Sequence, residues 1–147
     1  MELANILGTR EKMNVVEAFC ASQPQINLPL EHRFTPGMYI RTIHMPAGTV
    51  VTSRTHLTEH PFVVQRGVVD VYDEQGKCER LFAGHIGITK AGTRRVLLTH
   101  EDCVWTTFHA TDKTDPDDIS KEITTSENDQ LPEGFRHLCF ESKGVLK

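Results

Sequence analysis

The sequence has little net charge, few cysteines and no long apolar stretch, and each shortage excludes a class of protein. The four cysteines among 147 residues are scattered and form no C-x-x-C pair, which excludes a zinc ribbon and a disulfide framework. No segment approaches the roughly 18 apolar residues that a membrane span needs. The formal net charge of -4 argues against nucleic-acid binding, which needs a basic surface.

Several functional signals are missing as well. The sequence contains no Ser-His-Asp set, no Gly-rich phosphate loop and no pair of acid-base carboxylates. Its first residues, MELANILGTREKMNVV, lack the basic start and apolar run of a signal peptide. We therefore expect a cytoplasmic protein that binds neither membranes nor nucleic acid.

The length suits one domain with its own core, preceded by an N-terminal segment. Residues 1–37 are predicted to form a helix followed by an extended connector. In the helix, Val15, Val16 and Phe19 recur at near-helical spacing. The connector, residues 22–37, holds three prolines and a glycine, which disfavour regular structure.

Residues 38–112 have the texture of a β domain. Short segments rich in β-branched and aromatic residues, such as MYIRTIHM and FVVQRGVVDVYD, are separated by the turn signals PAG, DEQG, KAG and HED. No helical stretch interrupts them. This pattern predicts an all-β fold, a single β-barrel or sandwich with an N-terminal helix and a short helical or irregular C-terminal tail.

Residues 113–147 are predicted to be an acidic C-terminal extension. The stretch TDKTDPDDISKEITTSENDQ is polar and poor in apolar anchors. We expect a short helix beginning near Asp118, and a remainder that forms a tail or an arm lying on a partner. The neighbouring carboxylates of Asp115 and Asp117 are expected to be solvated.

The residues with chemical potential lie in PAGTVVTSRTHLTEHPFVVQRGVVDV, residues 46–71. Alternate side chains of a strand share a face, so Arg54 and His56 are predicted to point the same way. After a tight turn, His60 opens the next strand and faces the same cavity. Histidine is the commonest metal ligand, so His56 and His60 could form a metal platform that needs a third ligand.

At this point the sequence resembles the cupin superfamily over roughly residues 34–112. The first cupin motif runs from a glycine through H-x-H to an acidic ligand and a later glycine. Its positions are matched here by Gly48, Arg54, His56, His60 and Gly67. The second motif, a glycine followed by P-x-G and a histidine, is matched loosely by Gly84, Lys90-Ala91-Gly92 and Arg95.

A narrower resemblance is to small single-domain cupins common in tailed bacteriophages and related bacteria. It is carried by FTPGMYIRTIHMPAGT, HLTEHPFVV, KAGTRRVLL and EDCVWTTFHATDKTD. That group mostly lacks an assigned activity. The resemblance implies the double-stranded β-helix (jelly-roll) barrel, a homodimer, and the cytoplasm of a bacterial host if the protein is phage-encoded.

The departures from the cupin motifs point to an anion site. Arg54 replaces the first motif histidine, His60 stands where most cupins have glutamate, and Arg95 replaces the second-motif histidine. A guanidinium cannot ligate a metal and repels a cation, whereas its planar fork suits carboxylate and phosphate.

The strands after Arg95 complete the predicted pocket. A hairpin turn at residues 100–102 would place Arg95 opposite Thr107, and Leu97 opposite Trp105. Trp105 would then offer a stacking wall, and His109 would share the inward face. Arg94, pointing the other way, is expected on the surface.

The leading hypothesis is a cupin that binds a small, anionic molecule through Arg54, His56, His60, Arg95, Trp105 and Thr107, with a degenerate metal site. One alternative is a metal-dependent oxygenase or isomerase. It would hold one divalent iron, manganese, nickel or zinc ion on His56 and His60, completed by His44 or His109. A further alternative is a structural or interaction protein with a filled barrel. Whether the protein catalyses a reaction stays open.

Overall fold

The computed structural model of the protein describes residues 10–125 and 139–141. Within these ranges it contains two helices, α1 (Arg10–Ala21) and α2 (Pro116–Ile123), and twelve strands. The first six strands are β1 (Leu30–Thr35), β2 (Met38–Met45), β3 (Thr49–Thr52), β4 (Thr55–His56), β5 (His60–Arg66) and β6 (Val68–Tyr72). The others are β7 (Cys78–Phe82), β8 (Ile86–Thr89), β9 (Val96–Thr99), β10 (Cys103–Ala110), β11 (Thr124–Thr125) and β12 (Cys139–Glu141).

Most strands belong to two five-stranded sheets that face each other. Sheet A has the order β1-β2-β10-β5-β8, and sheet B has the order β12-β3-β9-β6-β7. All of their pairings are antiparallel. The inner faces share an apolar core that includes Met45, Phe62, Val64, Val69 and Trp105. The all-β prediction is confirmed, and neither of the two described helices is long and apolar enough to cross a membrane.

The predicted hairpin between β9 and β10 is wrong. Strand β9 pairs with β3 and β6 in sheet B, whereas β10 pairs with β2 and β5 in sheet A. Thr107 therefore lies opposite Arg41 and Phe62 instead of Arg95. The turn residues alone do not reveal that the chain crosses from one sheet to the other. The two inner faces oppose each other, so Arg95 and Thr107 still point into the same space.

The N-terminal helix covers part of sheet B. Helix α1 contacts β3 and β12, and its buried residues include Met13, Val16 and Cys20. Of the three apolar residues on which the helix was predicted, Val16 is buried, while Val15 and Phe19 are exposed. The part of the predicted helix before residue 10 lies outside the described residues.

Arg94 corrects another expectation. Its side chain is only 3% exposed, so the prediction that it lies on the surface is wrong. The guanidinium forms an ion pair with Glu17 of α1 and donates a hydrogen bond to Asn14. The carboxylate that neutralises it comes from a residue 77 positions away, which no local pattern around Arg94 could indicate.

The connector and the C-terminal extension contribute more structure than expected. Within residues 22–37, β1 adds an edge strand to sheet A. Helix α2 begins at Pro116 instead of near Asp118, because Asp115 caps its N-terminus by accepting a hydrogen bond from the Asp117 backbone N–H. After α2, β11 pairs with β4. The remainder of the extension, apart from β12, lies outside the described residues.

The outer face of sheet A carries exposed apolar side chains at its β8 edge. Ile86 is 73% exposed and Ile88 is 54% exposed. The homodimer implied by the resemblance would cover side chains of this kind, and it stays a prediction.

Gly67, the last glycine of the first motif, has a packing role that can be tested. Its φ is +92°, and an added Cβ would lie 2.3 Å from the Asp102 carbonyl oxygen. Gly84 has a similar φ of +95° but nothing within 4 Å of an added Cβ. Both Gly→Ala substitutions carry a left-handed backbone penalty of about 1–2 kcal/mol, and only Gly67→Ala adds a backbone clash.

We therefore expect Gly67→Ala to lower the free energy of unfolding far more than Gly84→Ala, or to prevent folding. Urea denaturation of the two variants measures the difference. Equal losses would show that the Asp102 contact does not constrain this turn.

Candidate functional site

A cavity of about 310 Å³ lies between the inner faces of the two sheets, at the end where α2 packs. Its wall is apolar on one side, where Ile43, Leu97 and Trp105 line it. The rest of the wall is rich in nitrogen-bearing side chains. They are His32, Arg41, Arg54, His56, His60, Arg95 and His109.

Three histidines form a cluster in this cavity. The ring centroids of His60 and His109 are 4.4 Å apart, and those of His56 and His60 are 4.9 Å apart. The rings come from β4, β5 and β10, and all point inward because side chains alternate along each strand. On β2, Tyr39 lies directly opposite His109, with ring centroids 5.8 Å apart.

The hydrogen bonds of the cluster leave ring nitrogens available. His60 Nδ1 donates to the Thr58 carbonyl oxygen at 3.0 Å, which leaves a lone pair on Nε2. His109 Nε2 is 2.8 Å from Thr107 Oγ1. The Nδ1 atoms of His56 and His109 are buried, and no hydrogen-bond partner for either lies within residues 10–125. A buried polar atom without a hydrogen-bond partner is energetically unfavourable, so a ligand that bonds to these two nitrogens would be stabilised by the contact.

Burial keeps these imidazoles neutral. Burial is the main cause that lowers the pKa of His56 to about 3, and the charges of His60, Arg95, His109 and Arg41 also contribute to that shift. Burial likewise lowers the pKa of His109 to about 3, with a contribution from Arg41. The pKa of His60 is lowered as well, mainly by burial. At neutral pH the cluster therefore offers uncharged donors and acceptors.

Two arginines of the cavity wall, Arg41 and Arg95, have no ion-pair partner among residues 10–125. Arg41 extends from β2, and its buried Nη2 has no hydrogen-bond partner in the described part of the chain. Arg95 Nη1 donates to Thr89 Oγ1 at 2.6 Å. Its guanidinium lies 5.0 Å from the centroid of the Phe62 ring, which stacks on Trp105. No carboxylate of residues 10–125 forms an ion pair with Arg41 or Arg95.

The carboxylates near the cavity do not balance this charge. Asp117 of α2 is the one acidic side chain of the described residues that lines it, and Asp117 is exposed at the mouth. Desolvation lowers the pKa of both Arg41 and Arg95, which reflects the cost of keeping a cation in this environment. The cavity is therefore a positively charged pocket with neutral histidines in it.

Solved structures of low sequence identity share the fold of this chain. An uncharacterized conserved Klebsiella pneumoniae protein with a double-stranded β-helix domain superimposes with a TM-score of 0.52 at 18% identity, covering 63% of this chain and 85% of that protein. A protein from Neisseria meningitidis gives a TM-score of 0.50 at 8% identity, covering 65% and 95%. The chain has the cupin fold.

A third similar structure is an enzyme. Salicylate 1,2-dioxygenase from Pseudaminobacter salicylatoxidans superimposes on this chain with a TM-score of 0.51 at 16% identity. The match covers 67% of this chain but only 30% of that enzyme. No protein-family model and no curated protein matches the sequence. At these identities the similarity establishes the fold alone, so function has to be argued from the pocket.

The residues predicted to line one pocket do so. Arg54 and His56 share the cavity, as expected from their spacing, and His60 joins them after the turn. Arg95, Trp105, Thr107 and His109 also line it, although the hairpin from which they were placed does not exist. Their roles in ligand binding stay predictions.

His44 was a candidate third metal ligand, but its position excludes that role. It projects away from the cavity, and its Nε2 lies 2.9 Å from Glu31 Oε2. Sequence reasoning also missed Tyr39 and Arg41, which line the cavity from β2. The alternation of side chains along MYIRTIHM could have indicated that Tyr39 and Arg41 point to the same face as Ile43.

The donor set of this cupin does not fit a transition metal. In the described residues, no three histidine, cysteine or acidic side chains are placed to hold one ion. His109 lies beside His60, but its Nε2 is engaged by Thr107, and no carboxylate joins the imidazoles. The charges of Arg41 and Arg95 also repel a cation.

We expect the purified protein, reloaded with iron, manganese, nickel or zinc and then dialysed, to retain well under one metal ion per chain. Elemental analysis by mass spectrometry measures the content. A His56→Ala/His60→Ala variant is the control for adventitious metal. Near-stoichiometric metal in the parent protein that is lost in this variant would show that His56 and His60 hold a metal ion.

The neutral histidines also predict a pH dependence of stability. The folded imidazoles of His56 and His109 stay unprotonated until about pH 3, whereas the unfolded chain takes up these protons near pH 6.5. The unfolded state therefore binds more protons, and the free energy of unfolding falls as the pH decreases through 6.5. Each group contributes up to about 1.4 kcal/mol per pH unit below that value.

Urea denaturation between about pH 7.5 and 5, above the carboxylate range, measures this slope. His109→Gln should flatten it, and His44→Gln, on the outer face, should not. An unchanged slope in His109→Gln would contradict the buried, neutral assignment.

Proposed function

We propose that this cupin binds a small anionic molecule in its barrel cavity, with Arg41 and Arg95 as its principal charge partners. One observation carries the proposal: two guanidiniums of the cavity wall, Arg41 and Arg95, form no ion pair with a carboxylate of residues 10–125, and only Glu79 acts on the pKa of Arg95 from a longer distance. An uncompensated buried charge costs several kcal/mol. An anion in the cavity would offset that cost and provide the missing hydrogen-bond acceptors.

The chain itself supplies an instructive comparison. Arg94, which is also buried, is neutralised by Glu17 and serves to attach α1. Where a buried arginine has a structural role, this protein therefore provides a carboxylate. Arg41 and Arg95 form no ion pair within residues 10–125, and both line a cavity. That contrast supports a role in binding.

The other pocket residues suit the same ligand. Neutral His56, whose buried Nδ1 has no hydrogen-bond partner in residues 10–125, can donate a hydrogen bond to an anion without adding charge. Thr107 supplies a hydroxyl, and Trp105 supplies a flat apolar wall. Arg54 lines the cavity as the motif comparison predicted. A volume of about 310 Å³ lies at the small end of ligand pockets and favours a metabolite-sized molecule.

The alternatives are weaker. A structural protein with a filled barrel does not account for an open cavity lined by charged and polar side chains. A metal-dependent oxygenase or isomerase has one observation in its favour, the adjacency of His109 to His60. It also requires a cation beside two unpaired guanidiniums, which is electrostatically unfavourable.

Removal of either guanidinium tests the proposal. We expect Arg41→Gln and Arg95→Gln each to weaken binding of small carboxylates at least about tenfold, because one charge-assisted hydrogen-bonding partner is lost. Isothermal titration calorimetry with acetate, malonate and succinate measures the affinities. Arg33→Gln, an exposed arginine of β1, is the matched control and should bind as the parent does. Affinities that are unchanged in both pocket variants would refute the assignment.

A further inference from the structure

The inner face of sheet A carries a polar row across four adjacent strands. Tyr39 on β2 is opposite His109 on β10, and His60 on β5 is opposite Thr89 on β8. The middle of the row is continuous, because the rings of His109 and His60 are 4.4 Å apart. Phenol, imidazole and hydroxyl groups thus follow one another across the cavity floor.

The two unpaired guanidiniums lie at opposite ends of this row. Arg41 extends from β2, two residues after Tyr39. Arg95 reaches the other end, where its Nη1 binds Thr89 Oγ1 on β8. Strands β2 and β8 are three positions apart in the sheet, so their backbones are separated by about 14 Å. Arg95 comes from the residue before β9 of the facing sheet, and both arginine side chains line the cavity.

The electrostatic environment of the histidines agrees with this placement. The pKa of His109 is lowered by burial and by Arg41, but Arg95 does not contribute. Burial is the largest cause of the lowered pKa of His60, and the charge of Arg95 lowers this pKa as well. Both arginines act on His56. These directions agree with Arg41 on the His109 side of the row and Arg95 on the His60 side.

We propose that the ligand carries two anionic groups joined by a short spacer, as in a short-chain dicarboxylate. One end would bind Arg41, the other would bind Arg95, and the spacer would lie over His60 and His109. This inference rests on the proposed function and specifies its ligand class.

A single anionic group would leave half of the pocket unsatisfied. It can neutralise only the guanidinium that it contacts, and the other stays buried without a counter-charge. Two carboxylates at the ends of one molecule neutralise both. The neutral imidazoles of His56 and His109, whose buried Nδ1 atoms have no hydrogen-bond partner in residues 10–125, can donate hydrogen bonds to a carboxylate and add no further positive charge.

Calorimetric titration of the full chain with a matched ligand series tests the inference. The probes are acetate, malonate, succinate, glutarate and succinamate, which keeps the length of succinate but has one charge. We expect at least one dicarboxylate to bind roughly 100-fold more tightly than acetate, the gain of a second charge-assisted contact. Succinamate should bind like acetate.

The two arginine variants show whether both ends are used. In Arg41→Gln and in Arg95→Gln, the preference for a dicarboxylate over acetate should fall to less than about threefold, since one end then lacks its partner. Arg33→Gln should keep the full preference. Circular dichroism and thermal unfolding confirm that each variant is folded before titration.

The outcomes separate this inference from the function on which it rests. If acetate and succinamate bind as tightly as succinate and their binding still depends on the two arginines, the inference of a dianionic ligand is refuted. The proposal of an anion-binding pocket is then supported. If no member of the series binds the folded parent, both are overturned. If dicarboxylates are preferred equally in parent and variants, the two-ended arrangement on Arg41 and Arg95 is refuted.

Discussion

The structure depends on the register of three neighbouring strands, β2, β10 and β5. Because side chains alternate with a period of two, a shift of one residue would turn every inward side chain toward solvent. The observed register places His60, Phe62 and Val64 of β5 inside. A register shift between Val104 and Trp105 and the tight contact of Gly67 with Asp102 adjust the chain at the closed end. Core and pocket are therefore two halves of one inner face.

The same register places several positively charged and ionisable side chains close together. It brings three guanidiniums and four imidazoles into one cavity, which is unfavourable unless charge is removed or balanced. The histidines respond by remaining neutral. The arginines cannot, since a guanidinium keeps its proton. Binding is thus inferred from the positive charges of Arg41 and Arg95, for which residues 10–125 provide no ion-pair partner, whereas the more deeply buried Arg94 is paired with Glu17.

Sequence reasoning succeeded where one local rule sufficed. The shared direction of Arg54 and His56 needed only their two-residue spacing, and His60 needed only a short turn before the next strand. It failed where partners were remote. Arg94 was assigned to the surface because its carboxylate belongs to a helix far away in the sequence. Arg95 and Thr107 were predicted to line one pocket because of a hairpin that does not form. They line the same cavity because the two sheets that carry them face each other.

By itself the sequence determined the β architecture, the positions of the turns and the alternation that turns His56, His60 and Arg54 inward, because these follow from interactions between near neighbours. Tertiary structure alone decided which strands pair, that α2 packs at the cavity end and that Arg41 lies opposite Thr107 across the sheet. It also decided that no carboxylate of the described residues balances Arg41 or Arg95. Charge balance inside a protein depends on which distant segments meet, and only the folded chain sets those distances.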